Sequence, residues 1–158
     1  MVRRSAAMSN RYGLEIRSAA PADAAGLAAL LDSCGIAIAP RALAERIETL
    51  RQDRGVALLA LAWGPPSGLI VLHWHATLVD AHPVATVSTL AVATDERRQG
   101  IGRLLLKAGA QAARAAGCGV LRLDAGPDPE AASLRGFCAA TGFTDIAARY
   151  ERPLRKRS

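Results

Sequence analysis

From Ser88 to Leu106 the chain reads Ser-Thr-Leu-Ala-Val-Ala-Thr-Asp-Glu-Arg-Arg-Gln-Gly-Ile-Gly-Arg-Leu-Leu-Leu. An apolar strand pattern passes through a short polar turn into a basic, glycine-containing loop and then into a helix. A strand that feeds directly into a helix calls for helices layered on a sheet, an α/β arrangement. The loop also suits an anion. Backbone N–H groups at a helix N-terminus lack partners and carry partial positive charge. Gly100 and Gly102 have no side chain to block a diphosphate from those amides, and Arg97, Arg98 and Arg103 add formal charge. Spacing disfavours two other phosphate motifs. A dinucleotide GxGxxG needs glycine where Leu105 stands. A Walker loop needs GxxxxGK followed by Ser or Thr, whereas Lys107 follows Leu106.

The remaining chain fits one α/β unit. Leu14 to Arg17 alternates as a half-buried strand does. Pro21-Ala22-Asp23 opens a helix to about Asp32, a loop covers Cys34 to Ala39, and a second helix follows Pro40, with Leu43, Ile47 and Leu50 on one face. Val56–Trp63 and Gly68–Leu78 read as strands joined by a Pro-Pro turn, and Val84–Val92 as a third. Gly100 to Ala116 is helical and stops at Gly117, Val120–Ala125 is a strand, and Pro129–Ala140 is a helix closed by Gly142. Phe143–Leu154 is expected to supply one or two final strands, with Tyr150 packed in the last. The order βααβββαβαβ predicts a single mixed-sheet α/β domain.

Charge and cysteine content narrow the function. The net charge is +6, but it sits at the ends. Residues 1–12 hold three arginines and no acid, and residues 149–158 hold five basic residues against Glu151. The body between is near neutral, so the basic ends read as solvated termini and no nucleic-acid partner is expected. Cys34, Cys118 and Cys138 are widely spaced with no CxxC, so no zinc site or disulfide framework is expected and a reducing cytoplasm fits. The apolar region from Val56 to Val79 is cut by Gly64-Pro65-Pro66-Ser67-Gly68. Neither half reaches the roughly 18 residues of a membrane span, so no membrane association is expected. The basic N-terminus lacks a signal peptide's apolar stretch, and either Met1 or Met8 could be the natural start. The expected parts are a basic, flexible 1–12, a domain over 13–154 and a basic tail over 155–158.

The strand ending in Leu90-Ala91-Val92, the RxxGxG of Arg97–Gly102, and the Phe137-Cys138-Ala139-Ala140-Thr141-Gly142-Phe143 segment together resemble the GNAT superfamily of acetyl-CoA-dependent N-acetyltransferases. The resemblance covers nearly all of Leu14 to Leu154. It implies a mixed, mostly antiparallel sheet of six to seven strands flanked by about four helices. It also implies that amides at Leu90, Ala91 and Val92 hold the pantetheine and thioester carbonyl. The pyrophosphate would lie on Arg97, Arg98, Gln99, Gly100, Ile101, Gly102 and Arg103. The hairpin Gly68–His73 and the ending Arg149–Leu154 look most like small-molecule enzymes of the aminoalkylphosphonate and aminoglycoside branches.

This chain departs from the family's proton-transfer pattern. Where the family often carries a carboxylate as general base, the candidate positions are Thr86, Ser88 and Thr89, and its thiolate-protonating tyrosine is replaced by Cys138. His73 and His75 lie two apart on one strand and so share a face. An imidazole there could accept a proton from an ammonium substrate. The catalytic candidates are thus His73, His75 and Cys138, while Cys34 and Cys118 read as structural. The expected activity is acetyl transfer from acetyl-CoA to a primary amine of a small molecule, without a metal. The alternatives are a non-catalytic CoA-binding regulatory module, or acetylation of a protein N-terminus or lysine. A homodimer is left open.

Overall fold

A computed structural model describes residues 8–9, 13–96, 100–124, 131–146 and 150–155. The chain divides into two compact units, 1–124 and 125–158.

In the first unit the strands are β1 (Met8–Ser9), β2 (Glu15–Ser18), β3 (Gly55–Leu61), β4 (Gly68–His75), β5 (Val84–Val92) and β6 (Val120–Leu123). They form one sheet in sequence order, antiparallel except between β5 and β6. β1 is only two residues long, so five strands have four residues or more and the expected six to seven full strands are not reached. Helices α1 (Ala24–Ser33) and α2 (Pro40–Gln52) connect β2 to β3, and α3 (Ile101–Ala115) makes the crossover between the parallel strands. A parallel pair needs such a crossover, because a tight turn cannot reverse the chain twice.

Side-chain alternation in β4 splits the core into two layers. Leu69 joins Leu27, Leu31, Leu43 and Ile47 of α1 and α2 in one cluster. Ile70 and Leu72 meet α3, where a Cβ on Gly109 would lie 2.9 Å from Leu72 Cδ1 and 3.1 Å from Ile70 Cδ1. β4 is buried on both faces, which explains its unbroken Leu-Ile-Val-Leu run. Arg17 on β2 donates to both carboxylate oxygens of Asp23, at 2.9 and 2.8 Å, and Ala20 N donates to the same carboxylate at 2.8 Å. The Arg17 bonds, outweighing partial burial, hold the Asp23 carboxyl below its ordinary range. This fork fixes the approach of α1 to the sheet.

The second unit contains α4 (Ala131–Ala140). Phe143 N donates to Cys138 O at 2.9 Å, closing the helix at Gly142 as the sequence predicts. The final strands are not found among the described residues, where 143–146 and 150–155 belong to no strand. Ile146, Tyr150 and Leu154 are largely exposed, Tyr150 at 93%, so the expected packing of Tyr150 in a strand is corrected. The cause is legible afterwards. Phe143, Ile146, Tyr150 and Leu154 recur every three or four residues, not every second one. No helix among the described residues is long and apolar enough to cross a membrane.

Candidate active site

The site is organised by one irregularity in β5. Val71 pairs with Thr89, but Leu72 pairs with Val87, so Ser88 is an extra residue, a β-bulge. A bulge bends its strand and sharpens the twist. Pairing with β6 runs from Val84↔Val120 to Val87↔Leu123 and stops at the residue before the bulge. Residues 88–91 therefore continue beyond the end of β6. Ala93 N donates to Ser67 O at 2.8 Å, which sets the phase of the β4–β5 ladder. By alternation, Thr89 and Ala91 turn their amides toward β4, and Leu90 turns its amide away from β4. The Ala91 side chain is buried in the cluster under α1 and α2. What this segment offers a ligand is backbone.

The start of α3 lies against the same end of the sheet because Gly68 has no side chain. A Cβ at Gly68 would meet Leu105 Cδ1 at 2.8 Å, Ile101 Cγ2 at 3.0 Å and Ala91 O at 3.2 Å. Gly100 caps α3 with φ +81°, a left-handed conformation that other residues adopt only at a cost. No side-chain hydrogen bond caps the helix among the described residues, and its first turn carries no acid. The amides of Ile101, Gly102 and Arg103 precede the first intrahelical bond, Leu104 N to Gly100 O at 3.1 Å. An anion is the natural complement to that helix end, and the residues present fit a diphosphate. Arg97, Arg98 and Gln99 lie outside the described residues.

On the α1/α2 face a pocket of about 270 Å³ opens beside the bulge. Its helical walls include Leu27 and Leu31 of α1 and Leu43, Arg46, Ile47 and Leu50 of α2. The α1–α2 connection adds Ile36 and Ile38, and the sheet contributes Val71, His73, Ser88 and Thr89. Ile36 is placed by the end of α1. Gly35 takes φ +83°, and Ile36 N donates back to Leu31 O at 2.9 Å, which folds Ile36 onto Leu31. The connection is held further by Cys34, whose Sγ donates to Val92 O at 3.5 Å.

Of the two histidines, the structure brings one into the pocket. His73 Nε2 lies 2.9 Å from Ser88 Oγ, and Ser88 Oγ donates a longer bond of 3.4 Å to Val71 O. The bulge makes this pair, since the extra residue turns Ser88 as well as Thr89 onto the pocket face. A hydroxyl has one hydrogen, so Ser88 either donates to Val71 O and accepts from His73 Nε2–H, or donates to an unprotonated Nε2. His75 is exposed, pairs with Val84 and does not line the pocket. Cys138 belongs to the second unit, where it is half-buried on α4 and burial pushes its thiol pKa up.

Sequence reasoning missed several parts of this site. Arg46 looks like one more charge on the solvated face of α2. The close approach at Gly68 depends on tertiary packing that no local pattern encodes, as does the Cys34 contact. Ser88 was legible only as a position of interest, because a bulge leaves no mark in hydropathy.

A strand opened at a bulge, an uncapped helix start beside it and an adjoining pocket define an acyl-transfer architecture. A model of the acetyltransferase (GNAT) family matches residues 27–143, and the chain belongs to that family. The family uses acetyl-CoA as acyl donor. The chain is similar in fold to AAC(6')-Iy solved with the bisubstrate analogue CoA-S-monomethyl-acetylneamine (TM-score 0.75, 19% identity, covering 90% of this chain and 99% of that one). It is likewise similar to glucosamine-6-phosphate N-acetyltransferase from Arabidopsis thaliana (TM-score 0.73, 14% identity, 90% and 99% covered). A third similar fold is ribosomal-protein-alanine N-acetyltransferase from Brucella melitensis biovar Abortus 2308 (TM-score 0.74, 23% identity, 90% and 99% covered). No curated protein sequence matches the chain.

Proposed function

We propose that the protein transfers the acetyl group of acetyl-CoA to a primary amine of a small molecule, with His73 as general base. The observation that carries this reading is the 2.9 Å contact between His73 Nε2 and Ser88 Oγ, in a pocket that adjoins the opened stretch of β5. The diphosphate rests on the amides of Ile101, Gly102 and Arg103, joined by the arginines of the preceding loop. The amide of β5 at Leu90, turned away from β4, holds the thioester carbonyl and stabilises the charge that develops on its oxygen, as a preorganised donor does. In the tautomer with Nε2 unprotonated, the Ser88 hydroxyl gives its hydrogen to His73 Nε2 as its oxygen takes up a proton from the ammonium. The neutral nitrogen then attacks the carbonyl carbon, the C–S bond breaks, and the proton that the attacking nitrogen sheds as it becomes an amide passes, through water, to the CoA thiolate. Holding both reactants in one geometry supplies much of the acceleration.

His73→Gln tests the assignment. Glutamine keeps a partner for Ser88 but cannot act as a base. With an amine that turns over, kcat/KM should fall by about 10²–10⁴-fold and the acidic limb of its pH profile should flatten, while acetyl-CoA still binds. A loss below about threefold removes His73 from the chemistry.

A further inference from the structure

We infer that the pocket selects an amine carried on an apolar chain whose far end is an anion, and that it excludes polycationic acceptors. This inference rests on the proposed activity and adds the class of its substrate. Apart from Arg46, the lining over α1, the α1–α2 connection and α2 is aliphatic, and among the described residues it includes no carboxylate. A polycationic acceptor would find nothing there to neutralise its further ammonium groups. The lining carries one permanent charge, Arg46, on the α2 wall facing the sheet wall that holds His73 and Ser88. The positions four residues from Arg46, Ala42 and Leu50, are not acidic, whereas Arg41 and Arg51 on the same helix pair with Glu45 and Glu48. No ion pair involving Arg46 is found among the described residues. Its planar fork suits a carboxylate or phosphonate. The volume of about 270 Å³ falls just below the roughly 300–1,000 Å³ of pockets for drug-sized ligands, so the acceptor body is short.

A matched set of six-carbon amines tests this: 6-aminohexanoate, hexylamine and 1,6-diaminohexane, with neamine as the polycation. CoA release is measured for each, and binding is measured separately by calorimetry in the presence of CoA. The anionic member should have the highest kcat/KM, about five- to tenfold above hexylamine, and neamine the lowest. The advantage should shrink as salt rises, since Arg46 is exposed. Arg46→Gln should remove most of the preference for 6-aminohexanoate, while Arg51→Gln, outside the lining, should preserve the order. Transfer to neamine or 1,6-diaminohexane at rates above 6-aminohexanoate, or an Arg46→Gln enzyme with unchanged preference, would overturn the inference and leave the acetyltransferase reading standing. Arg46-dependent binding of 6-aminohexanoate without any CoA release would do the reverse. Absence of both binding and transfer for the anionic amine would also overturn the inference.

Discussion

Gly68→Ala separates the two tasks of the contact beneath α3. The added methyl would stand 2.8 Å from Leu105 Cδ1 and 3.0 Å from Ile101 Cγ2, both in buried side chains, and 3.2 Å from the Ala91 carbonyl. Overpacking of this kind costs about 1–3 kcal/mol. Replacing glycine inside a strand returns about 0.5–1 kcal/mol of backbone entropy. The net cost should be about 0–2.5 kcal/mol, which lowers Tm by up to roughly 10 °C in a chain of this size. The relief available is movement of the first turn of α3 away from the β4–β5 end. That movement displaces the amides of Ile101, Gly102 and Arg103 relative to Leu90. A donor needs both sets at once, so its Kd should rise about tenfold, a loss near 1.4 kcal/mol. Gly109→Ala is the control. Its methyl meets Leu72 Cδ1 at 2.9 Å and Ile70 Cδ1 at 3.1 Å, comparable crowding two turns along the helix. It should soften the fold without moving the helix start, leaving the Kd within about twofold. Calorimetric titration of acetyl-CoA into both variants, beside thermal melts, decides the matter. If Gly68→Ala melts lower yet binds as the parent does, the diphosphate does not rest on the start of α3.

Two further substitutions probe the fold and the second unit. Asp23→Asn should cost about 1 kcal/mol at pH 7, because the Arg17 fork is partly exposed and screened. The folded carboxyl titrates below its ordinary value of 3.8. Its contribution is therefore fully present above that value and fades as pH falls through the folded one. Urea unfolding at pH 7 and near pH 2.5 should show the gap between variant and parent closing at the lower pH. Cys138→Ala should lower kcat by less than about tenfold, since water can protonate the departing thiolate. A loss near a thousandfold with normal melting and acetyl-CoA binding would make Cys138 the acid. Burial raises the Cys138 thiol pKa, so its alkylation by iodoacetamide at pH 8 should be slower than that of a cysteine peptide.

The parts legible in the sequence are those set by local chemistry. Pro40 starts α2 as a fixed-φ residue can, and Leu43 and Ile47 reach the core from the spacing that predicts it. Gly117 and Gly142 end α3 and α4, and β5 spans Val84–Val92 as its pattern indicates. The helix start itself was readable, because glycine and charge gather there after an apolar strand pattern. The pocket was not readable. It arises where Ile36 and Ile38, in a loop without periodicity, fold over a sheet face whose hydroxyl was turned inward by a bulge. A spacing rule that assumes strict alternation places Ser88 on the wrong side.

That bulge has a simple arithmetic. With Leu72 opposite Val87 and Val71 opposite Thr89, omitting Ser88 would leave an unbroken ladder with every other β5 side chain on its present face. The core does not need this residue, and the proposed chemistry does. A strand that serves packing alone and one that also turns a hydroxyl toward an imidazole differ here by a single insertion. Function of this kind can be added to a stable sheet, or removed from it, without renegotiating the hydrophobic pattern on either face.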